Sequence, residues 1–146
     1  LPAEQLRVGV PLTSLARGRG DVVDNVGTLA ALGVEVVLLG AAAGLGYLAY
    51  LEDLPVGAVE IAPEIVSRIA QRPGHDSVVA EALRQAIPLV HSTGATVIVP
   101  GVDTTEQAQW WRDAGADAAR GAHFGPSVWD HQLPTVLTAA FRDRQP

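Results

Sequence analysis

Four residues with reactive or ligand-orienting side chains, Glu60, Asp103, Arg120 and His123, fall near the ends of apolar runs. In a parallel α/β scaffold the working groups stand at the C-terminal ends of the strands. Asp103, Arg120 and His123 are expected to project towards that rim. They either orient a small ligand there, or Asp103 caps the helix that follows while Arg120 and His123 face solvent or pair with neighbours. Glu60 is either a general base or a partner for Arg120. A lone Glu at a strand end is more often structural, which favours the pairing role. The remaining strand ends read Leu39-Gly40, Ile61-Ala62 and Val99-Pro100 and carry no acid. A scaffold whose rim lacks acids points to binding or regulation rather than to catalysis.

Other chemistries find little support. The chain has no Cys, which excludes disulfides, thiol catalysis and thiolate metal sites. Its 10 basic residues are all Arg, so no Lys is present for Schiff-base chemistry. His75, His91, His123 and His131 include no i,i+4 pair beside a Glu, the spacing of a zinc helix, and no metal or cofactor is expected. Ala41-Ala42-Ala43-Gly44-Leu45-Gly46 follows a strand like a phosphate loop but lacks the Gly-x-Gly-x-x-Gly spacing. Ser14, Ser92 and Ser127 stand outside any nucleophile-elbow context.

Length and composition bound the scaffold. The 146 residues suit one domain spanning the whole chain, and 48% of them are hydrophobic. Mean hydropathy is +0.22, with much of it from small residues, as in strands buried on both faces. No run of about 18 apolar residues suggests a membrane span. The N-terminus shows no signal-peptide pattern, and the cytoplasm is the expected location. Leu1 in place of Met suggests a processed piece. A net charge of −6 argues against nucleic acid, whose phosphates demand a basic face.

Short apolar runs alternate with helical stretches, the pattern of β-α units on a parallel sheet. Strands are expected at Leu6–Val10, Val34–Leu39, Val56–Ile61, Thr96–Val99 and Ala116–Ala119. Arg17 to Gly20 reads as a loop, and Asp21 as the cap of a helix from Val22 to Leu32. Further helices are expected at Leu45–Leu51 and from Pro63 to the Arg72-Pro73-Gly74 break. Asp76 or Ser77 caps a longer helix in which Pro88 marks a kink or an end. Thr104 and Gln107 have capping-box spacing. Leu133–Arg142 closes the chain before a polar tail. About five strands are present where a closed barrel needs eight, so the expected fold is α/β, an open sheet or part of a barrel.

These blocks resemble a known family. Leu29-Ala30-Ala31-Leu32-Gly33-Val34, Tyr47 to Val56, Ala58-Val59-Glu60-Ile61, Gly101 to Gln107 and Gly121-Ala122-His123-Phe124 are similar, in order and spacing, to the C-terminal part of the EAL domain of cyclic di-GMP phosphodiesterases. The resemblance implies an incomplete TIM-type barrel of about five parallel β-α units, without the strand that bears Glu-Ala-Leu. It also places the family's functional positions. The metal-binding Asp-Asp-Phe-Gly falls on Leu39, Gly40, Ala41 and Ala42, and Lys-Ile-Asp on Glu60, Ile61 and Ala62. The glutamate ahead of Gly-Val-Glu falls on Pro100, and the next acid survives, shortened, as Asp103. A first-strand glutamate falls near Gly9, and Arg120 takes a place where Gln is frequent. Two-metal phosphodiester hydrolysis needs several carboxylates to hold its cations. The implied module is therefore degenerate and catalytically inactive.

Two kinds of work remain for such a module. One is regulation by protein association, as a homodimer or docked on another domain, because an open parallel sheet leaves edges and an inner face to cover. Trp110 and Trp111 lie about 100° apart on their helix, so one is expected to pack inward and the other to serve as an interface anchor. The alternative is a small-molecule sensor, with Leu39, Ala41, Ala62 and Pro100 lining a rim pocket and Asp103 and Arg120 orienting the ligand.

Overall fold

Parallel strands need long crossovers, and this chain supplies a helix between most successive runs. The computed structural model describes residues 2–17, 19–41, 45–71 and 77–142. Five strands, β1 (Arg7–Pro11), β2 (Glu35–Ala41), β3 (Ala58–Ile61), β4 (Thr96–Val99) and β5 (Ala118–Ala119), form one sheet in sequence order. Every neighbouring pair is parallel. The helices are α1 (Leu12–Arg17), α2 (Arg19–Ala31), α3 (Leu48–Asp53), α4 (Pro63–Ala70), α5 (Val78–Ser92), α6 (Thr105–Asp113) and α7 (Leu133–Arg142).

Strand alternation divides the apolar residues between two faces. Val36, Leu38, Val59, Ile61, Val97 and Val99 join the main core together with helix residues such as Leu83, Ile87 and Trp111. Val37, Ala58 and Ile98 point the other way and form a small cluster with Leu39 packed on it. Both faces of the central strands are thus apolar, as parallel sheets require.

The helix signals act as their chemistry dictates. The Ser77 hydroxyl accepts the Ala80 N–H at 3.0 Å and caps α5. Thr104 and Gln107 form a full capping box on α6. Pro63 opens α4 in its first turn, where its missing N–H costs nothing.

Several expectations need correction. Within the expected loop from Arg17 to Gly20, Arg17 closes α1 and Arg19 and Gly20 open α2, while Gly18 lies outside the described residues; Asp21 thus lies within the first turn of α2 rather than capping it. Leu15 explains why α1 forms, since it is buried to 1% in the main core. Pro88 does not end α5, which continues to Ser92. It stands on the exposed face, where solvent can hydrate the carbonyl its ring leaves unbonded. Trp110 and Trp111 are both buried, at 9% and 2% exposure. They pack edge to face at 4.7 Å, and Arg84 stacks 4.9 Å above the Trp110 ring, so neither projects from the surface. Ala42, Ala43, Gly44, the Arg72-Pro73-Gly74 break, His75, Asp76 and the tail beyond Arg142 lie outside the described residues.

Candidate functional site

Glu60 follows the buried Val59 and precedes the buried Ile61, so strand alternation turns it onto the face opposite the main core. Its carboxylate is mostly enclosed, with 13% exposure. Arg120 stands one residue past β5 and reaches back across β4 to meet it. Arg120 Nη2 donates to Glu60 Oε1 at 2.8 Å and Nε donates to Oε2 at 3.3 Å. This side-on geometry is a two-point contact, a form that adds strength and direction to an Arg–carboxylate pair. It takes up the carboxylate that was a candidate base.

The loops after β4 and β5 are stitched to each other. Val102 N–H donates to Arg120 O at 3.1 Å, and His123 N–H donates to Val102 O at 3.2 Å. Asp103 Oδ1 accepts the Ala122 N–H at 3.0 Å. Gly121 permits this approach, because a Cβ there would overlap the Val102 backbone. Asp103 is therefore a loop tie and not the cap of α6, which is Thr104. Gln107 Oε1 accepts the Asp103 N–H at 2.7 Å and braces the same corner. The His123 ring packs edge-on against Phe124 at 4.9 Å. Of the four expected residues, the structure joins Glu60 to Arg120 as an ion pair. It ties the Asp103 carboxylate to Ala122, two residues after Arg120, and leaves His123 exposed on the loop.

A cleft of about 370 Å³ opens beside Arg120, with Gly101, Gly121, Gly125 and Ser127 among its walls. It lies further along the sheet than the pocket expected from Leu39, Ala41, Ala62 and Pro100. Ala41 is fully buried in the main core. The cause is a bulge: Leu39 pairs with Glu60 but Ala41 pairs with Ile61, so Gly40 is an extra residue in β2. Its φ of +85° suits glycine, and it turns Ala41 towards the helices.

The donor set does not fit a pair of divalent cations. Leu39, Gly40, Ala62 and Pro100 offer no side-chain oxygen. Glu60 is held by Arg120, and Asp103 is bonded to the Ala122 N–H. No three His, Cys, Asp or Glu residues gather among the described residues. At Gly9, an added Cβ would lie 2.6 Å from Leu39 Cδ1, so the Leu39 side chain fills the space over that position.

Among the exposed large apolar residues, Phe124, Trp129, Leu133 and Val136 fall in one C-terminal stretch whose exposure the sequence reading did not anticipate. Trp129 is 75% exposed. The available signal was a lone Trp set beside Asp130 and His131 in a stretch without strand or helix periodicity.

Comparison with known proteins places the fold. The family model described as the EAL domain matches residues 1–127. An uncharacterized protein of Azorhizobium caulinodans is 30% identical over 106 residues, covering 73% of this chain and 14% of that protein. The PaMucR phosphodiesterase in its c-di-GMP complex superposes with a TM-score of 0.79 at 22% identity, over 91% of this chain and 52% of that one. The EAL domain of Mycobacterium smegmatis DcpA gives 0.77 at 22% identity, over 100% of this chain and 62% of that one. This chain thus spans about half of those solved structures and a small part of the curated relative. No described helix is long and apolar enough to cross a membrane. With its five parallel β-α units in the order of a TIM-type barrel, the chain belongs to the EAL domain family.

Proposed function

We propose that this chain is a non-hydrolysing EAL module of cyclic di-GMP signalling that regulates by protein association. One observation carries this reading: the strand ends that hold catalytic cations in the family carry Leu39, Gly40, Ala62 and Pro100. The two acids that remain are engaged by Arg120 and by the Ala122 N–H. Two-metal hydrolysis needs a cage of carboxylate oxygens to generate the attacking hydroxide, and these residues do not supply it. The exposed run of Phe124, Trp129, Leu133 and Val136 supports association, since aromatic anchors are enriched at protein contacts. A homodimer is the first partner to test, and docking on a neighbouring domain the second. The reading assigns the module to the cytoplasm, because a chain without Cys carries no sign of an oxidising compartment.

The test is cyclic di-GMP hydrolysis by the full chain with magnesium or manganese, followed by product chromatography. No turnover is expected. Turnover that Asp103→Ala abolishes would sink the proposal. Light scattering on the same sample reads the association.

A further inference from the structure

We propose that the cleft beside Arg120 binds a small oxyanion, a phosphate ester or a carboxylate, on the guanidinium edge that Glu60 leaves open. The inference goes beyond the association reading and stands without it. Arg120 spends Nε and Nη2 on Glu60, so the Nη1 edge of its planar guanidinium points away from that carboxylate. The side chain is 66% exposed, against 13% for Glu60, and it lines the cleft. Guanidinium recognises carboxylate and phosphate by paired, parallel hydrogen bonds, and a guanidinium already fixed in orientation loses less freedom on binding.

The rest of the wall suits the same ligand. Arg120 is the charged side chain among the cleft-lining residues, and Ser127 adds a hydroxyl. Gly101, Gly121 and Gly125 bring bare backbone to the surface, which lets a ligand approach closely. Glu60 lies on the far edge of the guanidinium, and the Asp103 carboxylate is bonded to the Ala122 N–H; neither lines the cleft. A volume of about 370 Å³ is at the lower end of small-molecule pockets and fits a metabolite-sized anion.

Glu60 has two opposed effects. It fixes the guanidinium, and its negative charge opposes an incoming anion. Glu60→Gln keeps a carbonyl acceptor and removes the charge, so it should tighten binding while Arg120→Gln abolishes it. A site formed by the loops alone would respond to neither.

The experiment is thermal shift and calorimetry on the full chain, with inorganic phosphate and acetate as probes at ionic strength matched with chloride. Saturable stabilisation by at least one probe is expected, lost in Arg120→Gln and roughly three- to tenfold tighter in Glu60→Gln. Phosphate alone would assign a phosphate ester, and acetate alone a carboxylate. Arg120→Lys keeps the charge without the fork and should bind more weakly than the native chain; it serves if Arg120→Gln does not fold. Binding unchanged in both Arg120 variants would overturn the proposal. So would no binding to either the native chain or Glu60→Gln, or a response to cyclic di-GMP alone. Hydrolysis and oligomer measurements leave these outcomes untouched, so failure here is distinguishable from failure of the association reading.

Discussion

Arg120 grips Glu60 from two strands away, with Nη2 at 2.8 Å from Oε1, so a single ion pair bridges β3 to the end of β5 over Ile98 of β4. The partners differ in exposure, 13% for Glu60 against 66% for Arg120. That difference decides what each substitution does. Removing Arg120 leaves an enclosed carboxylate without its counter-charge, whereas removing the Glu60 charge leaves an arginine in water.

Arg120→Ala is therefore expected to destabilise the fold more than Glu60→Gln. A double-mutant cycle read by urea unfolding should give a coupling of about 1 kcal/mol, the size of a well-formed but partly solvated pair. Additive variants would show that the two-point contact does not persist in solution.

Acid sensitivity is expected at the opposite end of the sheet. Asp117 Oδ2 accepts the Val97 N–H at 2.7 Å and lies 2.8 Å from His91 Nε2, tying the C-terminal turn of α5 to the start of β4. Burial alone would raise this carboxyl. The Val97 N–H, His91 and the residue's own N–H together outweigh burial, and they hold it below its ordinary value. A carboxyl lowered on folding stabilises the fold above its unfolded value, about pH 3.9. That contribution is lost as pH falls through the lower folded value, because the unfolded chain takes up the proton first. Asp117→Asn should thus lower the melting temperature at pH 7 and converge on the native chain at the acid end of a pH series. A constant difference at every pH would mean that its role is steric.

Legibility in the sequence followed the range of the interaction. The Thr104 and Gln107 box, the Thr96–Val99 strand and the Leu133–Arg142 helix are local features, and their bounds match the structure. Short α1 was invisible because its stability rests on Leu15 reaching a core built from distant residues. The Gly40 bulge was hidden because one extra residue in β2 shows only against the register of β3. The 100° argument misled at Trp110 because Arg84 of α5 packs over its ring, so α6 is covered along two directions. At the site, Arg120 was already one of two roles open to Glu60. The Asp103 to Ala122 bond depends on two loops meeting, which no spacing within either loop reveals.

Pro88 costs α5 a backbone hydrogen bond on its solvent side. Pro88→Ala is expected to restore it and to raise stability by about 1–2 kcal/mol, less than the full helix-interior penalty because the unfolded chain also gains freedom. Urea unfolding at pH 7 reads this directly. A loss of stability would mean that the ring packs against a neighbour more usefully than its missing N–H costs.

Association should run through the exposed apolar run and not through the buried tryptophan pair. Trp129 and Leu133 are 75% and 47% exposed, and they lead from the loop into α7, whose residues 133–136 are all exposed. Covering large apolar side chains is a favourable gain, lowering the free energy by about 25 cal/mol for each Å² of apolar surface removed from water. The double variant Trp129→Ser, Leu133→Ser removes much of that gain without touching the sheet. Light scattering across a concentration series should show the native chain self-associating and the variant shifted towards monomer, with unchanged far-ultraviolet circular dichroism. A dimer that survives both substitutions would place the contact on the sheet instead, where Leu39 packs over the apolar inner cluster and β1 is an outer strand.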